Sequence, residues 1–118
     1  MAIRFTFEDG AKAKVFSISG ELTAGKDANL LLENVKKEAE DKSKKIIFDL
    51  REIYYINSTG IGILARIVSH IRKMGGECAL VLARNNVTTA LQGTGLLKVV
   101  PHFFDHEGAL SDTKESPG

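Results

Sequence analysis

The residues of this chain best placed to do chemistry lie in one run, Phe48-Asp49-Leu50-Arg51-Glu52-Ile53-Tyr54-Tyr55-Ile56-Asn57-Ser58-Thr59-Gly60-Ile61-Gly62. An amide, two hydroxyls and two glycines meet where an apolar strand gives way to a helix. Asn57 or Ser58 can cap that helix, a role worth about 1 kcal/mol. The unpaired N–H groups of a helix start also favour negative charge, on the face where open α/β sheets receive ligands and partners. Gly60 and Gly62 each cost up to ~1 kcal/mol of helix propensity relative to Ala. Their presence in the first turn calls for close approach, either of a partner to exposed backbone or of the helix to its own sheet. Ile63, one turn before Arg66 on a face expected to be polar, would add an apolar spot beside Ser58.

Ser58 on a strand-to-helix turn also has the setting of a hydrolase nucleophile. The first glycine of Gly-x-Ser-x-Gly is missing, however, and a chain of 118 residues leaves little material for His and Asp partners, an oxyanion hole and a pocket. A small serine hydrolase is therefore the remote reading. His102, Asp105 and His106 have the spacing of one helical turn, but with Phe103 and Phe104 between them they read as polar residues around an aromatic anchor, and no fourth ligand is evident. Cys78 falls in an apolar strand. His70 and the cluster Lys42, Lys44 and Lys45 read as solvated residues, the lysines on a connector.

The elements that must position the Asn57 to Gly62 run follow from periodicity. Ile3, Phe5 and Phe7 alternate, Asp9-Gly10 suits a tight turn with positive φ, and Phe16 and Ile18 share one side of a second run, which predicts an antiparallel hairpin. Ala28, Leu31, Leu32, Val35 and Ala39 predict an amphipathic helix over about 23–40. The nearly continuous apolar run Ile46 to Leu50 predicts a strand buried on both faces, joined to the hairpin by a parallel crossover. Ile61, Leu64, Ile67, Val68, Ile71 and Met74 give the inward stripe of a second helix from Ser58 to Met74, ended by Gly75-Gly76. Residues 77–82 read as a strand, 86–92 as a short helix capped by Asn86, 97–100 as a last strand stopped by Pro101, and 103–110 as a turn or two of helix. The fold class is α/β: one small mixed sheet packed with about four helices, in a domain over 1–112 with a polar tail at 113–118.

Composition narrows the function. With 43% hydrophobic and 26% charged residues, and 16 Lys+Arg against 15 Asp+Glu, the chain suits one globular core. It lacks the charge excess of a nucleic-acid binder. A lone cysteine fits a reducing, cytoplasmic setting. No signal peptide is evident at the N-terminus, and no apolar run approaches the ~20 residues of a spanning helix, so no membrane insertion is expected.

Asp49-Leu50, Ile53, Ile56, Asn57-Ser58-Thr59-Gly60 and Gly62 resemble the signature of STAS domains of the bacterial anti-sigma-factor antagonist type. In that pattern a strand ending in Asp-Leu is followed by Asp-Ser-[Ser/Thr]-Gly-x-Gly. Gly20-Glu21-Leu22, Gly75-Gly76 and Gly95-Leu96 stand at compatible places, and the resemblance spans about residues 3 to 110. It implies a protein-binding switch rather than an enzyme: a monomer or weak dimer that binds an anti-sigma factor which is also a serine kinase. Phosphorylation at Ser58, with Thr59 the secondary acceptor, would inactivate it, and a serine phosphatase would restore it. Nucleotide and magnesium would belong to the kinase, so no cofactor is expected here. The implied surface is Ser58, Thr59, Gly60, Ile63 and Arg66, with the preceding loop at Tyr54, Tyr55 and Asn57 and a rim at Glu21 and Thr23. The alternative within the resemblance is a constitutive docking subunit of a stress-signalling or lipid-transport complex. Asn57 replaces the family's usual Asp, which keeps the cap and removes a negative charge and a proton acceptor beside Ser58. A phosphate brings about −1.5 to −2 charges and is well placed near a helix N-terminus. Emptying a complex from 99% to 1% takes about 5.5 kcal/mol, the scale of a charge clash in a docked interface.

Overall fold

In the computed structural model, which describes residues 3–111, strands β1 (Ile3–Asp9) and β2 (Ala13–Leu22) form the antiparallel hairpin. Helix α1 (Lys26–Glu38) crosses over to β3 (Lys45–Ile56), which pairs parallel with β2. Helix α2 (Ser58–Lys73) leads to β4 (Cys78–Val81), and two short helices, α3 (Asn86–Gly93) and α4 (Leu96–Val99), precede β5 (His102–Phe103). Helix α5 (His106–Ser111) follows. The strands lie in chain order in one sheet, and all pairs after the hairpin are parallel.

Alternation along the strands divides the apolar residues between two faces. Phe16 and Ile18 of β2, Phe48, Leu50 and Ile53 of β3 and Leu80 of β4 pack with Leu31 and Val35 of α1, Leu64, Ile67 and Ile71 of α2, and Leu91 of α3. On the other face Ala13, Val15, Ile47 and Val81 lie under Ala109 of α5, with Phe103 and Leu110 beside them. Burial on both faces explains why Ile46 to Phe48 read as a continuous apolar run.

Lys14 is buried on β2, its Nζ 2.9 Å from Glu38 Oε1 and 3.4 Å from Asp41 Oδ2. Burial works against its charge, but hydrogen bonding and attraction from Glu38, then Asp41, outweigh it and raise the ammonium's pKa. The pair fastens the end of α1 to the sheet.

Several expectations are corrected. The hairpin forms, but Gly10 does not have positive φ; its N–H donates to Ala13 O at 3.0 Å in a longer loop than the tight turn expected. Lys44 and Lys45 are partly buried and bonded rather than fully solvated: Lys44 Nζ reaches Asp9 Oδ1 and Gly10 O, each at 2.8 Å, and Lys45 Nζ reaches Ala109 O at 3.0 Å. Helix α1 spans less than 23–40 because Gly25, at φ 146°, holds the chain out of helix until Lys26. Asn85, not Asn86, caps α3, with Oδ1 accepting from the N–H groups of Val87 and Thr88. The segment expected as the last strand is the helical turn α4, closed by Lys98 N–H donating to Gly95 O at 3.0 Å. The strand lies beyond Pro101, whose carbonyl accepts from Leu80 N–H; a proline at a strand's start has no donor to lose from the ladder. The polar tail at 113–118 lies outside the described residues.

Candidate docking site at the start of helix α2

Beyond Asp49, β3 leaves β4 and continues with β2 alone, through Glu21 opposite Tyr55 and Leu22 opposite Ile56. Tyr54 and Tyr55 are therefore strand residues, not part of a loop. Both stay open to solvent, 62% and 50% exposed, because no third strand flanks this end. Aromatic and β-branched residues from Ile53 to Ile56 carried that signal, and the polar Arg51-Glu52 step hid it. At the root of this extension, Arg51 Nε and Nη2 clasp the Asp49 carboxylate at 3.0 and 2.8 Å. Burial opposes that carboxylate's charge, but the bonds and charge from Arg51 outweigh it and lower its pKa.

Asn57 ends the strand and caps α2, its Oδ1 accepting from Gly60 N–H at 2.9 Å. Ser58 is thus released from capping. Its side chain is exposed at the first helical position, and among the described residues its hydroxyl makes no hydrogen bond. No His or Asp is bonded to it, as a hydrolase nucleophile would require. Thr59 is exposed beside it. The first turn of α2 contains no acidic residue.

The two glycines separate. A Cβ on Gly60 would stand 1.9 Å from Leu22 O, whereas one on Gly62 would meet nothing within 4 Å. The close approach at Gly60 is between helix and sheet. That contact sets the roll of α2, and it corrects the place given to Ile63, which is buried in the core at 7% exposure rather than forming an apolar spot beside Ser58. Gly60, Ile63, Leu64, Ile67 and Ile71 make one inward stripe. Arg66 is exposed, about 12 Å along the helix axis from Ser58 at 1.5 Å per residue.

The structure therefore gathers Tyr54, Tyr55, Ser58 and Thr59 at one end of the sheet, with Glu21 in register beside Tyr55 and Thr23 at the β2 end. Gly60 and Ile63 serve beneath as packing. Sequence reasoning missed Leu30, 54% exposed on α1, because it adjoins the core residues Leu31 and Leu32. It also missed the basic bias of the α2 to α4 surface: from Ile53 to Phe104 the charged residues are Arg66, Arg72, Lys73, Arg84 and Lys98 against Glu77 alone. His102, Asp105 and His106 do not converge, and Asp105 instead accepts from Gly108 N–H at the start of α5. Among the described residues no group of three His, Cys, Asp or Glu could hold a metal, and no helix is long and apolar enough to cross a membrane.

Comparison with known proteins agrees with this architecture. Residues 3–110 match the family model of the STAS domain. The anti-sigma F factor antagonist of Paenibacillus polymyxa is 21% identical over 112 residues, which cover 95% of this chain and 96% of that protein. The crystal structure of an anti-sigma factor antagonist from Mycobacterium paratuberculosis superposes with a TM-score of 0.80 at 24% identity, over 97% of this chain and 96% of that one. The phosphorylated form of the Bacillus cell fate determinant SpoIIAA superposes with a TM-score of 0.67 at 16% identity, over 89% and 96%. With the mixed sheet, the Asn57-Ser58-Thr59-Gly60 turn and a family match over nearly the whole length, the chain belongs to the STAS domain family.

Proposed function

We propose that this protein is an anti-sigma-factor antagonist, a cytoplasmic binding switch that sequesters an anti-sigma factor with serine kinase activity. Phosphorylation of Ser58 turns it off and a serine phosphatase turns it on again. It works by docking and carries no catalytic step or cofactor of its own.

The observation that carries this reading is the division of labour at Asn57 and Ser58. Because Asn57 supplies the cap, the exposed Ser58 hydroxyl is spare and a kinase can modify it without costing the helix its cap. A phosphate there gains from the helix dipole and meets no acidic residue in the first turn, so its cost falls on the docked partner. Relatives described as anti-sigma factor antagonists, and a phosphorylated SpoIIAA of the same fold, support the same reading.

The test is binding to an anti-sigma factor from the same organism. Ser58→Ala retains binding and Ser58→Asp weakens it at least tenfold if the switch operates. Equal binding by both variants would instead make this a constitutive docking subunit.

A further inference from the structure

The sheet has two edges, and they differ. Strand β5 is two residues long, whereas β1 offers seven residues and pairs on one side only. A strand of that length with open main-chain groups is a template for another strand. In β1 the donor from Gly10 N–H to Ala13 O sets the alternation of the hairpin ladder. Arg4, Thr6 and Glu8 exchange their main-chain bonds with β2, and the N–H and C=O groups of Ile3, Phe5, Phe7 and Asp9 aim outward.

We propose that β1 pairs with β1 of a second copy of this chain, antiparallel and centred on Thr6. The sequence is self-complementary in that register. Arg4 falls opposite Glu8 of the second copy, and Glu8 opposite its Arg4, so each dimer gains two ion pairs. Phe5 falls opposite the second copy's Phe7 at the outward-bonding positions, and Thr6 meets Thr6. The side chains of Arg4, Thr6 and Glu8 are exposed, and within the chain Arg4 and Glu8 have no ion-pair partner among the described residues: their neighbours on β2 are Ser19 and Val15. Phe7, 38% exposed against Phe16, gains cover from the second copy's Phe5.

The geometry leaves the α2 docking site open. Ile3, at the Gly20 end of the hairpin, lies opposite the second copy's Asp9, so the two Ser58 ends face in opposite directions and each can engage its own partner. The unphosphorylated dimer is thus bivalent.

Sedimentation of the full chain tests this through charge reversal. The unmodified protein should show a concentration-dependent monomer–dimer equilibrium. Arg4→Glu and Glu8→Arg, which place like charges opposite each other, should each raise the dimer dissociation constant about tenfold or more. An equimolar mixture of the two variants should form heterodimers, and the double variant carrying both changes should dimerise like the original; thermal unfolding checks that each variant is folded. A chain that stays monomeric up to its solubility limit would overturn the proposal, as would association indifferent to either reversal or a mixture that fails to pair. A β1 edge reserved for a foreign strand would give the first of these results.

Discussion

Gly60 and Gly62 are two residues apart and answer opposite demands, which makes them a sharp test of how α2 is seated. Gly60→Ala drives a methyl group into the Leu22 carbonyl, where backbone must move, and should cost about 1–3 kcal/mol. Gly62→Ala meets open space and should stabilise by about 0.5–1 kcal/mol, since alanine loses less entropy in a helix. Urea denaturation of the two variants measures both signs. Asn57→Ala should cost about 1 kcal/mol through loss of the cap, while Asn57→Asp should leave stability nearly unchanged. If Ser58 were the true cap, Asn57→Ala would be neutral. Cys78 is buried and its thiol is pushed up to about 11, chiefly by burial. It should resist alkylation at neutral pH until the protein unfolds, as a thiol-labelling time course in and out of urea would show.

At the scale of elements, the join between α1 and β2 predicts a pH response. Hydrogen bonding from Ser43, with a smaller part from Lys14, holds the Asp41 carboxyl at about 2 against its ordinary 3.8. A carboxylate lowered on folding stabilises the fold above its unfolded pKa, and that contribution fades as pH falls from about 3.8 toward 2. Thermal melts across this range should show a shallower acid decline for Asp41→Asn than for the original chain. The same join shows where sequence reasoning stopped. The stripes of α1 and α2 were legible because a 3.6-residue period over three or more turns admits few other faces. Lys14 was not, since a lysine in an alternating strand reads as solvent-facing and its Glu38 partner is 24 residues away. The α4 to β5 segment failed for a related reason: a four-residue helix and a two-residue strand are too short to show any period, and the carbonyls of Pro101 and Phe103 are engaged only by the distant N–H groups of Leu80 and Leu82. At the site itself Ser58, Thr59 and the Asn57 cap were legible from residue type alone. The burial of Ile63 was not, because it follows from the seat of Gly60 on Leu22, a contact across 38 residues of chain.

For the whole molecule, the hairpin, the parallel crossovers and the helices on the main face form a rigid frame whose exposed end carries Ser58 and the two tyrosines. A phosphate on Ser58 would stand at the N-terminal end of α2, where the helix dipole favours negative charge and the first turn holds no acidic residue. The phosphorylated form should therefore melt no lower than the unmodified one, and its changed behaviour should appear in binding alone. The most direct measurement is to incubate the purified protein with ATP, magnesium and a serine-kinase anti-sigma factor from the same organism, then determine intact mass and map the modified peptide. One added phosphoryl group is expected, located on Ser58 and absent from Ser58→Ala. An unmodified protein, with the kinase active on another antagonist, would contradict the switch.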